Sequence, residues 1–153
     1  MNSQKLFLTH PLSLETPLSL LTALLMTILS LGGLFLPQIF YPTEDLRHAF
    51  VANDLVNLLV GLPVLLGSMG LARRGSLAGL LFWPGALLYI LYNAIAYAAA
   101  MPFTWQFFVF LALAALSGFS AYRLVASLDA PAIAGRLDGR VPVRFASGVL
   151  AGL

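Results

Sequence analysis

Residues 51–72, "VANDLVNLLVGLPVLLGSMGLA", decide the fold. Beyond Asp54 the stretch carries no charge, and the run is about as long as the roughly 20 mostly apolar residues that cross a hydrocarbon core. It ends at "RRGS", residues 73–76, a basic pair followed by turn formers. Such a segment reads as a membrane-spanning helix. Its opening is less ordinary, because Asn53, Asp54 and Asn57 sit where lipid-facing residues are expected.

Working outward, three more runs of the same kind appear. The spans expected are about 17–40, 51–72, 77–101 and 105–127. The second and third are separated by the Arg-Gly-Ser turn, the third and fourth by "MPFTW", and the first and second by the charged connector "YPTEDLRHAF". The first run is too long for a signal-peptide core and lacks a small-residue cleavage site. Residues 1–16 form an N-terminal cytoplasmic or interfacial segment, and 17–127 a four-helix transmembrane domain. Residues 128–153 form a cytoplasmic linker ending in a partial apolar segment, "FASGVLAGL". That segment resembles the start of a fifth helix, and a chain cut short at Leu153 is the expected reason. The fold class is therefore all-α: a polytopic transmembrane helix bundle.

Composition agrees. The 153 residues are 60% hydrophobic and 9% charged, against about 45–50% apolar and 25% charged in soluble domains. With no cysteine, thiol nucleophiles, disulfides and thiolate metal sites are excluded. The net charge of +2 comes without a basic cluster interleaved with aromatics, so no nucleic-acid partner is expected. It reads as topology bias. Placing the N-terminus inside puts Lys5, Arg73, Arg74, Arg123, Arg136, Arg140 and Arg144 on the cytoplasmic side and only Arg47 outside, as the positive-inside rule prefers.

The candidate site follows from helical spacing. Asn53, Asn57, Gly61, Val64 and Ser68 share a face of the second span, with Asp54 at its margin. On the third span Gly85, Tyr89, Tyr92, Asn93, Ala96, Tyr97 and Ala100 share another. Counting inward from the outer ends sets Asn57 level with Asn93 and Asp54 level with Tyr97. Gln106, Ser117, Ser120 and Ala121 add a milder stripe on the fourth span, beside Ala114 and Gly118. The expectation is a polar chamber in the outer half of the bundle, its ligand-binding candidates being Asn53, Asp54, Asn57, Tyr89, Tyr92, Asn93 and Tyr97.

Two readings of these groups compete. Asparagines and small residues are common helix-packing devices in membranes. An intramembrane carboxylate is a functional candidate by default, although one near the interface also suits a helix cap. Glu44, Asp45, Arg47 and His48 lie just above, and they read as a solvated connector rather than a metal site, since no metal-ligand spacing occurs. His10 and His48 fall on opposite sides of the membrane, so they cannot share a haem. There is no phosphate loop and no nucleophile elbow. No catalytic residue, metal or cofactor is expected.

The segments "NDLVNLLVGLPVLL", "ARRGSLAGLLFWPGALLYILYNAIAYAAAMPF" and "FFVFLALAALSGFSAY" resemble a group of small bacterial multi-pass membrane proteins. The likeness rests on Asp54-Leu55-Val56, on Arg74-Gly75-Ser76, and on Gly85, Tyr89 and Tyr92, over about the central two-thirds of the chain. It implies a helical bundle in a bacterial inner membrane, with further helices in longer members, and implies no activity. The expected function is that of a non-enzymatic subunit or scaffold of a membrane assembly. The alternative is binding or transport of a small amphiphile (a quinone, lipid or isoprenoid) in the polar chamber. An intramembrane enzyme built on Asp54 ranks last, because one acid without a positioned partner is not a mechanism. Expected partners are membrane lipids, with other membrane subunits or further copies of the chain.

Overall fold

The computed structural model describes residues 12–129, 131 and 133. The partial apolar segment at the C-terminus, the linker basic residues and His10 lie outside them. All regular structure among the described residues is helical: α1 (Glu15–Phe35), α2 (Pro37–Phe40), α3 (Glu44–Val56), a π-helical segment (Asn57–Gly61), α4 (Leu62–Arg73), α5 (Leu77–Ala100) and α6 (Trp105–Ala126). The π segment joins α3 and α4 into one 30-residue helix, Glu44–Arg73. With α1, α5 and α6 this makes four helices, among the described residues, long and apolar enough to cross a membrane. The protein is a multi-pass bundle.

The third and fourth spans lie within a residue of their expected bounds. The second does not: its helix begins at Glu44 and absorbs most of the charged connector. The reason is local. Thr43 caps the helix by accepting from the Leu46 amide at 3.3 Å, and Glu44 and Asp45 occupy the first turn, where the helix dipole favours acids. The first span is also shorter than expected. α1 stops at Phe35, and Pro37 starts the single turn α2 before Tyr41.

At the other end of the bundle α4 closes into α5 through Arg74-Gly75-Ser76. Gly75 has φ 80°, the left-handed turn position that glycine occupies without strain. The amides of Gly75 and Ser76 return to Ala72 O at 2.9 Å and Leu71 O at 3.0 Å. Ser76 then caps α5 by accepting from Gly79 N at 3.4 Å.

The helices pack as a four-membered ring. α5 lies along both α4 and α6, while α1 closes the ring against α3 and α6. Trp83 reaches across the middle from α5, and its indole N–H donates to Ser19 Oγ on α1 at 2.9 Å. Glu15, at the start of α1, pairs with Arg123 in the last turn of α6, Oε1 standing 3.0 Å from a guanidinium nitrogen. The Glu15 carboxylate is almost wholly buried. That pair ties the first and last of the four spanning helices together at the end carrying Arg73 and Arg74.

A buried polar seam around Asp54

Asp54 lies in the half of the long helix that begins at Glu44, 1% exposed. Its two carboxylate oxygens are held separately: the Tyr41 hydroxyl donates to Oδ2 at 2.5 Å and the Tyr97 hydroxyl to Oδ1 at 2.9 Å. Ser30 of α1 also reaches the carboxylate. These partners come from the α2–α3 junction, from α5 and from α1, so one side chain gathers three parts of the bundle. Burial, and then the bond to Asp54, push the Tyr41 hydroxyl above its ordinary range.

The asparagines continue the network inward. Asn53 Nδ2 donates to Asn93 Oδ1 at 2.7 Å and to the Tyr97 oxygen at 3.2 Å. Asn57 Oδ1 accepts from the Tyr89 hydroxyl at 2.9 Å, and its Nδ2 reaches Ser30 Oγ at 3.5 Å. Asn93 Nδ2 returns to the Tyr89 carbonyl at 2.9 Å, and the Tyr97 hydroxyl also stands 3.3 Å from the Phe50 carbonyl. An aromatic stack covers the group. Phe50 lies on Tyr97 with ring centroids 4.4 Å apart, and Tyr97 lies on Phe110 at 4.7 Å. Among the described residues no buried side-chain nitrogen or oxygen lacks a hydrogen-bond partner.

Six of the seven candidate residues are thus brought together. Asp54 meets Tyr97 as the depth count requires, while Asn57 bonds Tyr89 and leaves Asn93 to Asn53. Tyr92 is not part of the seam; it is 72% exposed on the lipid side of α5. The face of the second span also changes composition. Val64 is 44% exposed, and Leu65 takes the inward position at 0%. The π segment causes this, because an i→i+5 turn holds one residue more than an α turn and shifts everything after Gly61 by one place.

Counting along the sequence also missed the first helix. Ser30 and Gly33 line the seam from α1, and Tyr41, which read as an interface aromatic beside Phe40, is wholly buried. A depth count from the expected end of the first span at 40 sets Ser30 and Gly33 deeper than Asn57 and Asp54, because α1 in fact ends at Phe35. The α6 stripe is inward-facing as expected, but Ser117 and Ser120 donate to their own helix at Leu113 O and Leu116 O, 2.8 and 2.7 Å. Gln106 instead donates to the Ile39 carbonyl at 2.8 Å, holding α2 against α6.

The expected chamber is closed. Between Ser30, Asp54, Asn57, Asn93 and Tyr97 remains a void of about 10 Å³, about the room of one water. A larger space lies on the lipid side of Tyr89, a cleft of about 280 Å³ between the long helix and α5. Val60, Val64, Leu81, Phe82 and Ala86 line it, and Gly85 leaves it open. The Tyr89 ring, packed against Gly61, stands between this cleft and the seam.

The chain matches no protein-family model, no curated protein and no solved structure. No three His, Cys, Asp or Glu side chains converge on one point among the described residues. What the seam contains is one carboxylate, hydroxyls and amides. These can bind and orient through hydrogen bonds, and they can hold a proton.

Proposed function

We propose that this is a non-enzymatic membrane protein, a subunit or scaffold of a larger assembly in a bacterial cytoplasmic membrane, with its N-terminus on the cytoplasmic side. The observation that supports the reading is the closure of the seam: its polar groups are consumed by one another, leaving room for about one water. Among the described residues such a bundle offers apolar faces outward, and its polar seam is closed inward. The basic residues Arg73, Arg74 and Arg123 share one end, whereas Arg47 sits at the other beside Glu44 and Asp45, which supports the orientation. Native mass spectrometry of the protein extracted mildly from its host tests the proposal. A co-purifying polypeptide is expected, and a bare chain in every preparation would count against it.

One observation favours a second reading. The cleft beside Tyr89 is apolar, lies within the span and ends at the Tyr89 ring, whose hydroxyl is bonded to Asn57. A lipid, quinone or isoprenoid chain fits that description. Gly85 has open space where a side chain would go, so Gly85→Leu fills the cleft without displacing the fold. A small bound mass lost in that variant would favour amphiphile binding. The same mass in both proteins would place the ligand elsewhere.

A further inference from the structure

Asp54 lacks something that a buried carboxylate ordinarily has. A charge in the hydrocarbon span is costly unless it is paired, yet among the described residues no ion pair reaches it. The ion pairs there are His48 with Glu44 and Arg123 with Glu15. Each element packed around Asp54 faces it with neutral groups. α1 presents Ser30 and Gly33, the α2–α3 junction presents Tyr41, and α5 presents Tyr97 and Asn93. α6 brings only Phe110 and Leu113 to the void alongside. On its own helix, His48 is exposed and turned to Glu44, and Arg47 makes no ion pair with Asp54.

The hydrogen bonds around it have two complete settings. The Tyr97 hydroxyl has one proton and two acceptors in reach, Asp54 Oδ1 at 2.9 Å and the Phe50 carbonyl at 3.3 Å. With Asp54 ionised, Tyr97 donates to Oδ1. With a proton on Oδ1, the carboxyl donates to the Tyr97 oxygen, and Tyr97 turns its own proton to Phe50 O. In that second setting the Tyr97 oxygen accepts from Asp54 and Asn53 (3.2 Å), which uses both of its lone pairs. Tyr41 donates to Oδ2 in either setting. No heavy atom has to move.

We infer that Asp54 is a proton-binding site, switching between these two settings by exchange with the aqueous phase at the Tyr41 end of the bundle. That end is the nearer one. Asp54 lies six residues beyond exposed His48, about 9 Å along the helix axis, and its Tyr41 partner adjoins exposed Pro42 and Thr43. The void beside the carboxyl has room for about one water, enough to carry a proton. On uptake the proton comes to rest on Oδ1, and the site changes from one negative charge to none.

Infrared difference spectra of the full chain in lipid nanodiscs, between acid and alkaline buffer, test this. The wild type should show the carbonyl stretch of a neutral carboxyl that disappears reversibly in alkali. Asp54→Asn should lack that band, and its amide can donate to Tyr97 as the neutral carboxyl does. Tyr97→Phe should displace the band, whereas Tyr92→Phe should not. Identical difference spectra in wild type and Asp54→Asn would overturn the inference, because Asp54 would then keep one protonation state throughout. If Asp54→Asn does not fold, isotope-labelled aspartate decides in the other proteins. A band that moves with both the label and Tyr97→Phe supports the site, and the lack of one refutes it.

Discussion

Gly33 of α1 and Asp54 of the long helix stand so close that no β-carbon fits between them. A methyl group on Gly33 would overlap the Asp54 carboxylate and come within 2.5 Å of the Tyr41 hydroxyl. The seam is therefore built around a missing side chain, and three of its parts lean on that one position.

Gly33→Ala should destabilise the bundle by at least about 1–3 kcal/mol, the usual cost of overpacking a filled site. It should also separate Tyr41 from Asp54. Gly70→Ala is the control, since nothing lies within 4 Å of that position. Reversible unfolding in detergent compares them. Equal stability of the two variants would contradict the packing described.

The Glu15–Arg123 pair is a staple of unequal burial, the carboxylate 4% exposed and the guanidinium 39%. Removing one partner of a fully buried pair costs about 3–5 kcal/mol, chiefly by stranding the other charge. Partial exposure of Arg123 lowers the expected loss for Arg123→Leu to about 1–3 kcal/mol. Replacing both residues by leucine should recover most of it. A double-mutant cycle on thermal stability shows whether the recovery occurs.

Orientation can be read directly because the chain has no cysteine. In intact cells a membrane-impermeant maleimide should label His48→Cys and spare Arg74→Cys. After permeabilisation both should react. The reverse pattern would invert the topology.

Tyr41 gives a pH dependence with a definite sign. Burial and the Asp54 carboxylate raise its hydroxyl above the ordinary value, so the folded chain keeps that proton where the unfolded chain releases it. Its contribution is complete below the unfolded value, about pH 10, and is lost as pH rises toward the folded one. Stability should fall above about pH 10, with Tyr41 accounting for up to about 1.4 kcal/mol per pH unit. Tyr41→Phe should flatten that part of a stability profile.

Much of this was legible in the sequence. Uninterrupted apolar runs fix a spanning helix because lipid leaves the backbone no other way to satisfy its polar groups, and the third and fourth spans lie within a residue of where they read. Depth counting brought Asp54 to Tyr97 because both helices are anchored at the same interface. The helical-face reading failed at Tyr92, which shares the wheel face of Tyr89 and Asn93 only loosely and turns to lipid. Tyr41 was hidden for another reason. An aromatic at the end of a span reads as an interface anchor, and only the turn of α2 after Pro37 carries it inward. Nor can spacing along one helix reveal Glu15 meeting Arg123, since they come from opposite ends of the described chain.

The π turn has a consequence for how the gene can change. Five residues there do the work of four, so losing one of them would turn Asn57–Gly61 into ordinary α-helix and leave both flanks facing as they do now. Deleting Leu59, which points to lipid, should therefore spare the packing of Leu65 and Ala72. The same deletion at Leu66 would swing the rest of α4 by about 100°. The long helix contains its own slack, placed between the half that holds Asp54 and the half that holds the turn to α5.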